Sequence, residues 1–333
     1  MTRTVDPTRR RLALAAAASS ALPAAFRATA AHAQETWPSK PVKVVVPFPA
    51  GGVVDLVTRA VTDRLAVVLK QPFLVENRTG ANGNIGTEAV ARAPADGYTL
   101  LTASPATVTQ PMLSPNARFR TADFTGLGLI GAPPNLFVVS PSVPVKTLRE
   151  FVEYAKARPG KLSVTNPGVG TSNHLGQELF FSLTGLQLVD VRYPGQPQMI
   201  GDLVSGQVHF GLLTGGLAVP HVKEGRLRAL AVGAPKRWAQ LPDVPTVGEA
   251  GWADAMFLPW YGLVAPAGTP KPIVKRLSDE VLAALQQPEV LARLEGMGTQ
   301  VTPGSADDFD ALIRGEVERW SRVIRERNIR AEG

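Results

Sequence analysis

Residues 168–174 read GVGTSNH, two glycines followed by two hydroxyls, an amide and an imidazole. Hydroxyl and amide side chains donate hydrogen bonds without carrying a fixed charge, and glycine lets a backbone N–H approach a ligand closely. Such a set suits a small oxygen-rich anion. An N-cap needs one hydroxyl, so Thr171, Ser172 and Asn173 exceed what capping alone requires. Both readings, cap and ligand contact, stay open for Thr171 and Ser172. A second loop of the same kind ends VVVPFPAGG at residues 44–52, where Gly51 and Gly52 either make a tight turn or bring N–H groups to a ligand oxygen.

Other chemistries lack their residues. His174, His209 and His221 match no zinc spacing, no H-E-x-x-H occurs, and the chain has no cysteine, so no metal or cofactor is expected. GTSNH lacks the second glycine of a nucleophile elbow. GVGTSN lacks the third glycine of a dinucleotide loop, and no P-loop is present. His174, at a helix start, is read as a structural hydrogen-bonding group.

Both loops follow the same phrase. Residues 42–46 form a short apolar run, the mark of a strand covered on both faces, and Val53, Val57, Val61, Leu65 and Val68 recur at helical spacing. Residues 162–165 form another strand, and Leu175, Leu179, Phe180 and Leu183 another helical stripe. Alternating strands and helices predict an α/β architecture with mainly parallel sheets. In such sheets the loop leaving a strand's carboxyl end faces the ligand crevice, and the next helix aims its partly positive N-terminus there. Asp55 sits in that first turn. It either complements the dipole and pairs with Arg59 at i+4, or receives an ammonium group.

Further helix starts are expected from capping signals at Thr147 with Glu150, Thr246 with Glu249, and Thr269 before Pro270. Ser305 precedes a stripe of Phe309, Ile313, Val317, Trp320 and Ile324.

The chain has 333 residues and a formal charge of +7. Arginines at 3 and 9–11, an alanine-rich apolar stretch and Ala31-His32-Ala33 read as an export signal over residues 1–33, cleaved near Ala33. The Thr8-Arg9-Arg10-Arg11-Leu12 order approximates a twin-arginine signal, with the general secretory route as the alternative. That segment carries five arginines and one aspartate, so its removal leaves +3. No basic run or aromatic-basic interleaving points to nucleic acid. No later stretch reaches the roughly 18 apolar residues of a membrane span.

PFPAGGVVDLVTR, VENRTGANGNIGTEAVARAPADGYTLL, NPGVGTSNHLGQELF, VRYPGQPQMIGDLVSGQV, GRLRALAV, LPDVPTVGEAG and LVAPAGTP follow in order. Together they resemble the periplasmic solute-binding receptors of tripartite tricarboxylate transporters, the Bug-type proteins, from about Trp37 to the end. The resemblance implies a type II periplasmic-binding-protein fold with two α/β domains around a ligand cleft. One domain would comprise 34–135 with 262–333, the other 136–261, with crossings near 131–140 and 257–264. It further implies a monomer that binds a small organic acid through backbone amides and hydroxyls and serves membrane transporter subunits or a sensor protein. By position the ligand contacts would be Phe48, Ala50, Gly51 and Gly52 on one wall and Gly170, Thr171 and Ser172, with Asn173 beside them, on the other. Ser104, Thr107 and Thr214 would line the same crevice. Val53 and Val54 stand where the family often has small or hydroxylated residues. Arg192-Tyr193-Pro194-Gly195 departs from the family's basic stretch; Arg192 is expected either to restore a cation at the cleft rim or to lie solvated. The favoured reading is a binding protein without catalysis; a sensor-linked receptor and an exported Ser/His hydrolase are the competitors.

Overall fold

The short apolar runs become strands of two mixed sheets. A computed structural model describes residues 37–326 and 329; the export signal expected over 1–33 lies outside the described residues. The first sheet contains β1 (Val42–Val46), β2 (Phe73–Asn77), β3 (Thr99–Ala103), β4 (Phe124–Ala132), β10 (Gly262–Pro266) and β11 (Gln300–Gly304). Its order is β11-β4-β10-β3-β1-β2. The second contains β5 (Asn135–Val139), β6 (Ser163–Asn166), β7 (Val189–Arg192), β8 (Phe210–Thr214) and β9 (Arg228–Val232), in the order β7-β6-β8-β5-β9. β1 runs parallel to β2 and β3, and β6 parallel to β7 and β8. β10 and β5 are antiparallel insertions. The chain passes from the first sheet to the second through Pro133-Pro134 and returns between β9 and β10.

The helices are α1 (Val53–Leu69), α2 (Asn84–Ala91), α3 (Pro105–Leu113), α4 (Leu148–Lys156), α5 (Ser172–Thr184), α6 (Gln196–Ser205), α7 (Gly215–Lys223), α8 (Lys271–Ala284), α9 (Pro288–Gly296) and α10 (Ala306–Glu326). The helical stripes pack where their period requires. Val53, Val57, Val61 and Leu65 of α1 are buried, as are Phe309, Ile313 and Trp320 of α10. The second sheet is covered by an aromatic core in which Phe151 stacks on Phe210 at 4.4 Å and Phe180 meets Phe137 edge-on at 5.1 Å. Fully burying one such ring contributes roughly 1.5–3 kcal/mol. On the return crossing, Phe257 meets Trp320 of α10 edge-on at 4.8 Å. The Glu316 carboxylate accepts the indole N–H groups of both Trp260 and Trp320. That pair of bonds ties the C-terminal helix to the crossing strand.

Two capping signals lead elsewhere than expected. Thr246 and Glu249 bond reciprocally, at 2.7 and 3.0 Å, but the segment is a turn and no helix follows. The two backbone bonds are satisfied by a single turn, so the motif does not need a helix beyond it. Thr269 is not the N-cap of α8: its hydroxyl turns back to the Pro266 carbonyl at 2.7 Å, and Pro270 takes the cap position. At Ser305 reciprocal bonds with Asp308 open α10, and at Thr147 the hydroxyl accepts the Glu150 N–H while the Glu150 carboxylate accepts the Lys146 N–H at the start of α4.

Candidate functional site

The parallel strands of both sheets empty their carboxyl ends into one cleft. β1, β3 and β6 each lead through a short loop into α1, α3 and α5; β7 and β8 lead into α6 and α7. The N-caps Gly52, Ser104, Thr171 and Gly195 lie on the wall of a cavity of about 60 Å³. The fifth N-cap, Thr214 of α7, is one hydrogen bond behind the wall, through Gln196. Five helix N-termini therefore converge on a cavity whose lining contains no charged side chain. Each terminus contributes unpartnered N–H groups and roughly half a positive charge. An anion placed there would meet helix N-termini and no charged side chain.

Of the expected site residues, Phe48, Gly52, Ser104, Thr171, Ser172 and Asn173 line the cavity. The others stand away from it. The Gly51 N–H is spent on Asp55 at 3.0 Å, and Ala50 is exposed beside it. Asp55 is a loop-holding residue: it also accepts from Arg59 and Asn77, while Asn77 donates to the Phe48 carbonyl. Burial alone would raise its pKa, but the bonds from Arg59, Gly51 and Asn77 outweigh that and hold the carboxyl below its usual value. Thr107, in the first turn of α3, accepts the Ser104 N–H at 3.2 Å and is buried. Arg192 pairs with Asp190 at 3.6 Å at the sheet edge and does not reach the lining. Tyr193 donates to Asp202 at 2.6 Å; burial and that bond raise its pKa.

Gly170 joins the loop beyond β6 to α3. Its carbonyl accepts from Thr109 at 2.7 Å, and the neighbouring Val169 carbonyl accepts from the Gln110 amide. Its φ is +82°, and a Cβ there would stand 2.6 Å from Gln110 Nε2. Glycine is required by both the left-handed backbone and the contact. Gly216 of α7 is the counterpart on the other flank, where a Cβ would collide with the Met297 carbonyl.

His174 holds the same loop from behind. It is buried, and desolvation lowers its pKa to about 4 despite Asp190, with Arg192 acting in the same sense as burial. The neutral ring accepts the Gly170 N–H on Nδ1 at 3.3 Å. A Ser/His contact does exist at Ser163 and His209, 2.9 Å apart, but it lies at the start of β6, whereas the cavity lies beyond its end.

Several lining residues carry no local signal in the sequence. Gln196 opens α6 and is fully engaged: its amide donates to Asn173 and Thr214, and its carbonyl accepts the Thr214 N–H. Tyr261 arrives on the return crossing; burial raises its phenol to about 12 against the Thr214 hydrogen bond, so the O–H is retained. Gly195 following a strand was the available hint for Gln196. Tyr261 had none: it precedes β10 and reaches the wall because the return crossing brings it there.

The model of the tripartite tricarboxylate transporter family receptor matches residues 57–329. Protein BugT of Bordetella pertussis is 33% identical over 295 residues, covering 88% of this chain and 90% of that protein. Two solved structures from Rhodopseudomonas palustris are similar throughout. Rpa4515 with adipate has a TM-score of 0.84 and 34% identity, covering 88% of this chain and 99% of that one. MatC with bound malate has a TM-score of 0.82 and 33% identity, covering 86% and 100%.

Proposed function

This chain belongs to the tripartite tricarboxylate transporter receptor family, and from that premise we propose that it captures a small organic carboxylate and delivers it to the membrane subunits of such a transporter. The observation that carries the reading is the convergence of five helix N-termini on a cavity without a charged wall. A carboxylate fits because neutral donors and helix dipoles stabilise it without a competing salt bridge. Adipate and malate, named with two of the similar structures, are both small carboxylic acids.

Residues 34–135 with 262–333 form one lobe in this reading and 136–261 the other, each built on one sheet. Closure of the lobes on the ligand is the capture step. The chain is exported, with cleavage near Ala33, and works as a monomer. No helix among the described residues is long and apolar enough to cross a membrane, which accords with a separate partner in the membrane.

Thermal unfolding of ligand-stripped protein against a panel of small acids and their amides tests the proposal. A ligand at a hundred times its Kd adds about 2.7 kcal/mol. A midpoint raised by an acid and not by its amide is the expected result. Equal shifts, or chemical turnover of the bound acid, would refute it.

A further inference from the structure

The carboxylate reading above can be narrowed by counting which donors of the cavity remain available. Asn173 spends both amide hydrogens on Asn135 and the Leu212 carbonyl, and its oxygen accepts from Gln196. Gln196 is engaged at every polar atom. Thr171 donates to the Gly168 carbonyl at 2.7 Å and accepts the His174 N–H. The Tyr261 O–H remains, as do the hydroxyls of Ser104 and Ser172, the last making one contact at the 3.5 Å limit. The two serines open helices, α3 and α5, whose first turns contain no acidic residue.

The α1 side of the cavity is different. Among the helices that converge there, α1 alone has an acid in its first turn, and Asp55 already accepts the Gly51 N–H. Its first two positions are Val53 and Val54, both on the cavity wall. Side chains at the start of a helix lean toward its N-terminus, so branched hydrocarbon stands before these amides. Val53 is buried against α7, where a Cβ on Gly216 would lie 3.6 Å from its Cγ2, and Leu217 of α7 continues the apolar surface.

We propose that the cleft selects an acid with one carboxylate and a compact apolar body, the carboxylate at the starts of α3 and α5 and the body against Val53, Val54 and Leu217. A second carboxylate on the same ligand would lie against hydrocarbon, unable to recover the hydrogen bonds it loses from water.

Titration calorimetry on ligand-stripped protein tests this with matched pairs: butanoate and succinate, hexanoate and adipate, benzoate and terephthalate. The monoacid is expected to bind at least about tenfold tighter wherever a pair binds, because an unpaired buried polar group discriminates strongly. The double variant Val53→Thr, Val54→Thr, checked for an unchanged unfolding midpoint, should shrink that ratio by about tenfold. A diacid that binds as tightly as its monoacid partner, or a ratio unmoved in the variant, overturns this inference and leaves the carboxylate reading standing. Binding by none of the six acids would remove both.

Discussion

Thr109 Oγ donates to the Gly170 carbonyl at 2.7 Å, joining the first helix turn beyond β3 to the loop beyond β6. The Gln110 amide, itself held by Asn84 at 3.2 Å, bonds the adjacent carbonyl of Val169. Residues from the two sheets thus meet at the lip of the cavity through side chain to backbone bonds.

Thr109→Val keeps the shape and removes the donor, leaving a buried carbonyl without its partner. We expect a loss of about 1–2 kcal/mol in ligand binding, a five- to thirtyfold weaker affinity. Titration calorimetry with the acid identified by thermal shift measures it. Unchanged affinity would mean that this contact is independent of capture.

Gly170→Ala places a methyl group at φ +82° and against Gln110. Expected is a stability loss of at least about 1 kcal/mol from the backbone alone, with weaker binding added by the displaced loop. Urea unfolding with and without ligand separates the two effects. A neutral substitution would show that the loop relaxes freely.

Thr171 and Ser172 adjoin in sequence and should differ in response. The Thr171 hydroxyl caps α5 and bonds the Gly168 carbonyl, so Thr171→Ala should cost about 1 kcal/mol of stability. Ser172→Ala removes a donor with little to do in the empty fold and should leave stability within about 0.5 kcal/mol. It should instead weaken acid binding by about tenfold or more, since bonds to a charged group contribute about 1.5–3 kcal/mol. The reverse pattern in paired unfolding and binding measurements would exchange their roles.

His174 makes stability depend on pH. Its folded pKa, about 4, lies below the ordinary 6.5 because burial disfavours the charged ring. Between those values the unfolded chain takes up a proton that the folded chain refuses, so stability falls as pH falls. The loss attributable to this residue is about 2 kcal/mol between pH 7 and pH 5, approaching roughly 3 kcal/mol near pH 4. Denaturant unfolding of the protein and of His174→Gln at pH 7 and pH 5 isolates it. Parallel pH profiles would show that the ring protonates without penalty.

Much of this protein was determined by local pattern. The valine run of β1 and the three-to-four spacing of α1 are properties of neighbouring residues, and they place a glycine loop at a helix start wherever the chain goes. The same local phrase at residues 163–184 offers Thr171, Ser172 and Asn173 as caps or ligand contacts, and all three line the cavity. Ordered motifs carried the family and with it the fold. Tertiary structure decided which donors are free. Gly170 and Thr214 resemble ligand contacts by type and position, yet each is spent on a residue outside its own turn. Gln196 and Tyr261 reach the cavity because two sheets and a return crossing bring them there. A hydrogen bond is a relation between two atoms, and sequence spacing reveals the partner when both belong to one turn. For Thr109 and Gly170, 61 residues apart, the partner is set by how the two sheets meet.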